Sequence, residues 1–144
     1  MESSDKDQIK KKNPQVQIFT VPFALEEIKK NINITSNTSS NPLKEKLINQ
    51  AIKLHLEGNI QEASKYYQYC LDQGFNDKRI FSNYGVILKN LGKSKEAESS
   101  YRKAIELNPD FAEAHSNLGN ILRELGKNKE AILCLEKALE IRPW

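Results

Sequence analysis

Residues 78–110 read KRIFSNYGVILKNLGKSKEAESSYRKAIELNPD, and residues 112–144 read AEAHSNLGNILRELGKNKEAILCLEKALEIRPW. At an offset of 34 residues, 15 of the 33 aligned positions are identical. A weaker copy precedes them at residues 44–77. The residues that keep this copy in register are Asn49, Leu54, Gly58, Glu62 and Ala63. Self-similarity at such a period indicates a fold that is built from stacked repeats.

The residue types within each copy predict two helices. Apolar residues recur at i, i+3, i+4 and i+7, which places one apolar stripe along each helix. A glycine follows the first helix of each copy and can adopt the left-handed conformation that ends a helix. Pro109 and Pro143 stop the second helix, because proline disfavours a helical residue before it. The predicted helices lie near residues 44–57, 61–73, 79–91, 95–107, 113–125 and 129–141.

Three local features refine this prediction. Gly85 and Gly119 lack a side chain where the two helices of one repeat are expected to cross closely. Gly58, Gly92 and Gly126 are the expected left-handed residues. Asp110 and Glu113 have the spacing of a capping box at the start of the fifth helix.

The period and residue types resemble the tetratricopeptide repeat (TPR) family. The second copy reads Phe81-x2-Tyr84-Gly85-x2-Leu88, Ala97-x3-Tyr101, Pro109, and the third reads His115-x2-Leu118-Gly119-x2-Leu122, Ala131-x3-Leu135, Pro143. The first copy departs from the family pattern at Gln50 and Phe75. The resemblance implies an all-α solenoid of three helix-turn-helix repeats, at residues 44–77, 78–111 and 112–144. Residues 1–43 are then a largely irregular, partly disordered leader.

Composition and charge argue against several classes of partner. The net charge is +3, from 22 basic and 19 acidic side chains, which is too balanced for the basic stripe of a nucleic-acid-binding protein. No apolar run approaches the roughly 18–20 residues that span a bilayer. The N-terminus, MESSDKDQIKKKN, lacks the apolar segment of a secretory signal. We therefore expect a cytoplasmic protein with no nucleic-acid and no membrane partner.

No combination of residues in the sequence predicts catalysis. Cys70 and Cys134 lack the close spacing of a zinc or redox motif. His55 and His115 fall on predicted helices as single imidazoles. We expect neither catalytic residues nor a metal site nor a cofactor, and therefore not an enzyme.

The TPR resemblance implies that the first helix of each repeat lines a concave surface. Repeat position 6 then holds Asn49, Asn83 and Asn117, which resembles the asparagine ladder of the O-linked N-acetylglucosamine transferase family. An amide both donates and accepts hydrogen bonds, so such a column can bind the backbone of an extended peptide. The additional candidate residues are Ser82, Ser116, Asn120, Lys89 and Arg123. The predicted function is protein–protein interaction through this surface.

A second pattern, the carboxylate clamp of chaperone-adaptor TPR domains, fits poorly. Its five positions hold Ile48, Ile52, Asn83, Glu113 and Asn117 here, and only one of the five matches. This argues against a chaperone C-terminal tail as the ligand.

Two alternative functions remain open at this point. The repeats also resemble arrays that precede the catalytic domain of larger glycosyltransferases or sulfotransferases. This resemblance implies, as an alternative, that they are the recognition module of such an enzyme. They are alternatively a scaffold that self-associates through the uncapped 129–141 helix. That helix is expected to expose Ile132, Leu133, Leu139 or Ile141.

Overall fold

The computed structural model describes residues 41–143, which form six helices and, within that range, no strand. The helices are α1 (Pro42–Leu56), α2 (Ile60–Asp72), α3 (Lys78–Asn90), α4 (Ser94–Leu107), α5 (Ala112–Glu124) and α6 (Asn128–Ile141). Each predicted boundary lies within one or two residues of the observed one. The predicted leader at residues 1–43 falls outside the described residues, apart from its last three.

The helices are arranged as three pairs that stack in chain order. Within each pair, α1 packs on α2, α3 on α4 and α5 on α6, across connections of three residues. Between pairs, α3 packs on α2 and α5 packs on α4. The Cα atoms of neighbouring first helices (α1 with α3, and α3 with α5) also approach within 8 Å. In the described part of the chain, the Cα atoms of the second helices α2, α4 and α6 do not approach one another within 8 Å. The predicted all-α solenoid of helix-turn-helix repeats is confirmed.

Glycine makes the tight connection between the helices of a pair. Gly92 has φ +75°, and its N–H donates to the Lys89 carbonyl at 2.9 Å. The Lys93 N–H donates to the Leu88 carbonyl at 2.9 Å, which completes the hydrogen-bond pattern of a Schellman motif. Gly58 and Gly126 also have positive φ angles, so the three predicted left-handed positions are confirmed.

The predicted capping box at Asp110 and Glu113 is wrong. Helix α5 begins at Ala112, with Phe111 as its N-cap residue and no side-chain cap hydrogen bond. The Asp110 N–H donates to Asn108 Oδ1 at 3.1 Å, which makes a turn before the helix. This turn delays the start of the helix by one residue relative to the register that the box needs. By contrast, Asp77 caps α3 by accepting from the Arg79 N–H at 2.9 Å.

Two clusters of buried side chains form the core. The first joins α1, α2 and α3 through Leu47, Ile48, Ala51, Ala63, Tyr66, Tyr67, Cys70, Ile80 and Ile87. The second joins α3, α4, α5 and α6 through Leu88, Ala97, Tyr101, Leu118, Ile121, Leu122 and Ala131. Each cluster spans two repeats, so each repeat buries its apolar surface against its neighbour.

The predicted close crossings at Gly85 and Gly119 are also confirmed. A Cβ atom at Gly85 would lie 2.6 Å from Cε1 of Tyr101, and one at Gly119 would lie 2.7 Å from Cγ of Leu135. Real Cβ atoms do not come this close to their neighbours. The bulk of α4 and α6 therefore occupies the space that a side chain would need on α3 and α5.

Candidate functional site

The three asparagines at repeat position 6 all lie on first helices. Asn49 on α1 is exposed, whereas Asn83 on α3 and Asn117 on α5 are half-buried. They recur every 34 residues, and each stands on a helix whose backbone approaches a neighbouring first helix. The three asparagines are therefore evenly spaced in the sequence but differ in their exposure to solvent.

Asn83 is held by the protein itself. Burial raises the pKa of the Tyr67 hydroxyl to about 12, and a side-chain hydrogen bond from Asn83 opposes part of that rise. The same hydroxyl lies 3.5 Å from Nδ1 of His55, an imidazole whose pKa is lowered by burial. An amide has two donor hydrogens and an acceptor oxygen, so one bond to Tyr67 leaves Asn83 able to bind a ligand.

Ser82 and Ser116 occupy the same repeat position but have different surroundings. Ser82 has no exposed surface, and its Oγ has no hydrogen-bond partner among the described residues. Ser116 is partly exposed. Ser82 is enclosed by the protein, so this hydroxyl cannot touch a ligand in this structure.

We predict that Ser82→Ala raises the free energy of unfolding by about 1 kcal/mol, because a buried hydroxyl without a partner is costly. Urea unfolding followed by circular dichroism measures the change. The matched control is Ser116→Ala, which is expected to change the stability by less than about 0.5 kcal/mol at its partly exposed position. Clear destabilisation by Ser82→Ala would contradict the prediction, since it would mean that the hydroxyl makes a favourable contact.

An ion pair between two first helices involves one of the predicted basic residues. Nζ of Lys89 on α3 lies 3.4 Å from Oε1 of Glu124 on α5. Arg123, at the same repeat position as Lys89, is exposed, and Asn120 is half-buried. The predicted basic pair is therefore partly neutralised on α3, whereas its α5 member is open to solvent.

A second ion pair was not anticipated from the sequence. Nη2 of Arg79 donates to Oε1 of Glu45 on α1 at 2.9 Å and to Oδ2 of Asp77 at 2.9 Å. The hydrogen bond from Arg79 is the main reason that the pKa of Asp77 is lowered. A signal for this pair is present in the sequence, because Glu45 and Arg79 stand 34 residues apart with opposite charge.

The C-terminal repeat contains a cavity of about 610 Å³ between α5 and α6. Its lining residues are Ala112, Glu113, Ser116, Asn117, Leu135, Ala138, Leu139 and Arg142. Two of the predicted peptide-binding residues, Ser116 and Asn117, therefore share one concave site with apolar side chains of α6. Sequence reasoning did not anticipate the cavity itself. The expected exposure of α6 is confirmed, with Ile132, Leu133 and Leu139 more than half exposed.

The side chains of His115 and Cys70 make contacts within the fold. His115 donates from Nε2 to the Pro109 carbonyl at 2.7 Å, which ties the start of α5 to the preceding turn. Cys70 is a buried free thiol, and burial raises its pKa to about 11. Over residues 41–143 no group of three or more His, Cys, Asp or Glu side chains has the arrangement of a metal site. None of the six helices is long and apolar enough to cross a membrane.

Comparison with known proteins identifies the repeats. Residues 112–144 match the family model described as "Tetratricopeptide repeat", and residues 85–122 match the model described as "TPR repeat". Among curated proteins, none matches the sequence significantly. The two family matches confirm TPR repeats in the C-terminal part of the chain.

Solved structures have the same fold. The second TPR domain of Spaghetti (RPAP3), bound to the HSP90 peptide SRMEEVD, has a TM-score of 0.65 and 22% identity, over 69% of this chain and 87% of that one. The first TPR domain of the same protein, bound to the same peptide, has a TM-score of 0.63 and 27% identity, over 69% and 79%. A special likeness to the O-linked N-acetylglucosamine transferase superhelix is not among these findings.

Proposed function

We propose that this chain is a protein-interaction module that binds an extended peptide along its first helices, with Asn49, Asn83 and Asn117 as the main contacts. The observation that carries the proposal is that the first helices and the second helices are spaced differently. Neighbouring first helices approach one another and second helices do not, as expected when first helices lie on the inner side of a curved stack. The asparagines lie on these helices, one in each repeat.

The solved structures support this general mode of action. Both TPR domains of Spaghetti are described as bound to a peptide. TPR repeats are typically interaction modules without catalysis of their own. The partner that we propose for this chain is therefore a protein or peptide segment.

The chemistry of the surface argues for recognition of a peptide backbone over an acidic tail. The carboxylate-clamp positions Ile48 and Ile52 are buried and half-buried apolar side chains, which offer no cation to a carboxylate. Glu113, at a third clamp position, is exposed and repels acidic ligands. The Lys89–Glu124 pair further reduces the positive charge. Amides, which bind peptide groups through both donor and acceptor, are then the dominant contacts.

We predict that replacing Asn49, Asn83 and Asn117 together by alanine weakens peptide binding about 100-fold. Three lost hydrogen-bonding groups at about 1 kcal/mol each account for this factor. The probes are fluorescein-labelled 12-residue peptides selected from a random display library on the wild-type chain. Fluorescence anisotropy measures their affinity, and circular dichroism verifies that the variant keeps its helices.

The matched control replaces Asn59, Asn76 and Asn128, which are exposed and lie in connections or at a helix start. It is expected to leave peptide affinity within about twofold. The HSP90 peptide SRMEEVD is a second probe and is expected to bind at least about tenfold more weakly than the selected peptides, for lack of a cationic clamp. Equal affinity of the Asn49/Asn83/Asn117 variant and the wild type for the selected peptides would eliminate the asparagine column as the binding site.

A further inference from the structure

The α5–α6 face of the third repeat, which contains the cavity described above, has exposed apolar surface. Leu139 is 57% exposed, and Leu135, Ala138 and Ser116 are partly exposed. We call this surface the terminal face and define it by Glu113, Ser116, Leu135, Ala138 and Leu139.

Most of these positions are covered in the other two repeats, and the equivalents of Leu139, which are Ile105 and Leu71, are half-buried. In the second repeat, Ser82, Tyr101 and Ala104 are at most 1% exposed beneath α5. In the first repeat, Ile48, Tyr67 and Cys70 are fully buried beneath α3. In both of these repeats, the first helix of the following repeat therefore covers this face. Helices α3 and α5 therefore show which kind of helix surface is complementary to the terminal face.

The two covering helices share an apolar pattern. Helix α3 presents Ile80, Tyr84 and Ile87 at i, i+4 and i+7. Helix α5 presents Ala114, Leu118 and Ile121 at the same spacing. Ile80 and Ile87 are buried in the first cluster, and Leu118 and Ile121 in the second. An occupant of the terminal face needs this stripe.

The covering helices also carry charges in fixed places. Arg79, at i−1 of α3, pairs with Glu45 of α1, whose equivalent on the terminal face is Glu113. Glu124, at i+10 of α5, pairs with Lys89 of α3, whose equivalent on α5 is Arg123. A helix on the terminal face that has a basic residue at i−1 and an acidic residue at i+10 would repeat both pairs.

This chain does not itself supply such a helix at its N-terminal end. Helix α1 has Lys46, Gln50 and Lys53 at the stripe positions, and Glu45 at i−1. Stacking a second copy head to tail would press two lysines onto Leu135 and Leu139 and bring Glu45 beside Glu113. Taking lysine ammonium groups out of water against apolar surface is unfavourable, even for Lys53, whose Nζ lies 3.9 Å from Oε1 of Glu57. The leader sequence has an apolar stripe at Val21, Leu25 and Ile28, but Thr20 and Asn31 stand where the two charges belong.

We propose that the terminal face binds an amphipathic helix of a partner protein, with apolar residues at i, i+4 and i+7, a basic residue at i−1 and an acidic residue at i+10. This site adjoins the asparagine column, because Asn117 lines the same cavity, but its binding of a helix does not depend on the peptide proposal. The helix packs its stripe on Leu135, Ala138 and Leu139, pairs its basic residue with Glu113 and pairs its acidic residue with Arg123.

The test uses the full chain and a fluorescein-labelled peptide of residues 76–92 that carries Asn90→Glu, which has all the required features. Leu139→Lys in the full chain is expected to weaken binding of this peptide at least tenfold. The matched control is Leu133→Lys. Leu133 lies on the same helix and is 65% exposed, and its equivalents Ser99 and Lys65 are polar, so binding is expected to be unchanged.

A charge exchange tests the orientation of the helix. A peptide with Arg79→Glu and Asn90→Lys is expected to bind the wild-type chain about fivefold more weakly, because both exposed ion pairs become repulsive. The Glu113→Arg, Arg123→Glu chain is expected to restore its binding. Failure of this exchange to restore binding would overturn the proposed orientation and charge pattern.

Three further outcomes would overturn the proposal. The first is equal peptide binding by the Leu139→Lys and Leu133→Lys chains. The second is a wild-type dimer in sedimentation that Leu139→Lys converts to a monomer, since the face would then belong to a second copy. The third is tighter peptide binding after Leu25→Lys and Ile28→Lys in the full chain, which would place the leader on the face.

Discussion

Replacing Tyr101 by alanine is expected to lower the free energy of unfolding by about 3–5 kcal/mol, the range for deleting a buried aromatic ring. Tyr101 is 1% exposed and packs from α4 into the second cluster, against Leu88 and Leu122. Its ring also fills the space above Gly85, where α3 and α4 cross. Since small domains unfold with about 5–15 kcal/mol in total, this loss removes much of the stability. Urea unfolding followed by circular dichroism measures it.

Tyr101→Phe serves as the conservative control because it keeps the ring. It is expected to change the stability by less than about 1 kcal/mol. Nearly equal losses from the phenylalanine and alanine variants would contradict the packing explanation and assign the effect to the hydroxyl.

The contact between Tyr101 and Gly85 makes the two substitutions interdependent. In the wild-type chain, Gly85→Ala places a Cβ 2.6 Å from the ring and is expected to destabilise by about 1–3 kcal/mol. In the Tyr101→Ala chain that obstacle is gone. There, Gly85→Ala is expected to stabilise by up to about 1 kcal/mol, through the better helix propensity of alanine. A double-mutant cycle measures this coupling, and additive effects would show that the ring does not determine the crossing.

Replacing Ile121 by alanine is expected to lower the free energy of unfolding by about 2–5 kcal/mol. Ile121 is fully buried in the cluster that joins the second repeat to the third. Because a repeat array is stabilised by interfaces between neighbours, the loss is concentrated in the coupling of the third repeat to the second. Hydrogen exchange is expected to show faster opening of α5 and α6 than of α1 and α2.

Ile132 on α6 provides the matched control. It is 56% exposed, so Ile132→Ala is expected to change the stability by less than about 0.5 kcal/mol. Uniform acceleration of exchange across all six helices in the Ile121→Ala chain would contradict the interface explanation, since it would indicate a single cooperative unit without weaker coupling at that junction.

Much of the candidate site could be predicted from the sequence because it repeats. The position of Asn49, Asn83 and Asn117 on first helices follows from the period alone. Which hydroxyl is open to solvent could not be predicted in this way. Ser82 and Ser116 have the same repeat position and similar neighbours in sequence, yet Ser82 is fully buried and Ser116 is partly exposed. The role of Asn83 beside Tyr67 depends on a contact between two helices.

The six helices, the glycine connections and the close crossings could all be predicted from the sequence. These depend on local backbone preferences and on which residue types recur every 34 positions, and such forces act within a few residues. A local signal was misleading at Asp110, where the turn at Asn108 delayed the start of the helix. The tertiary structure alone decided which repeated surfaces are covered. Burial depends on neighbours that are distant in sequence, so the third repeat has nearly the same sequence as the second and yet presents an open apolar face.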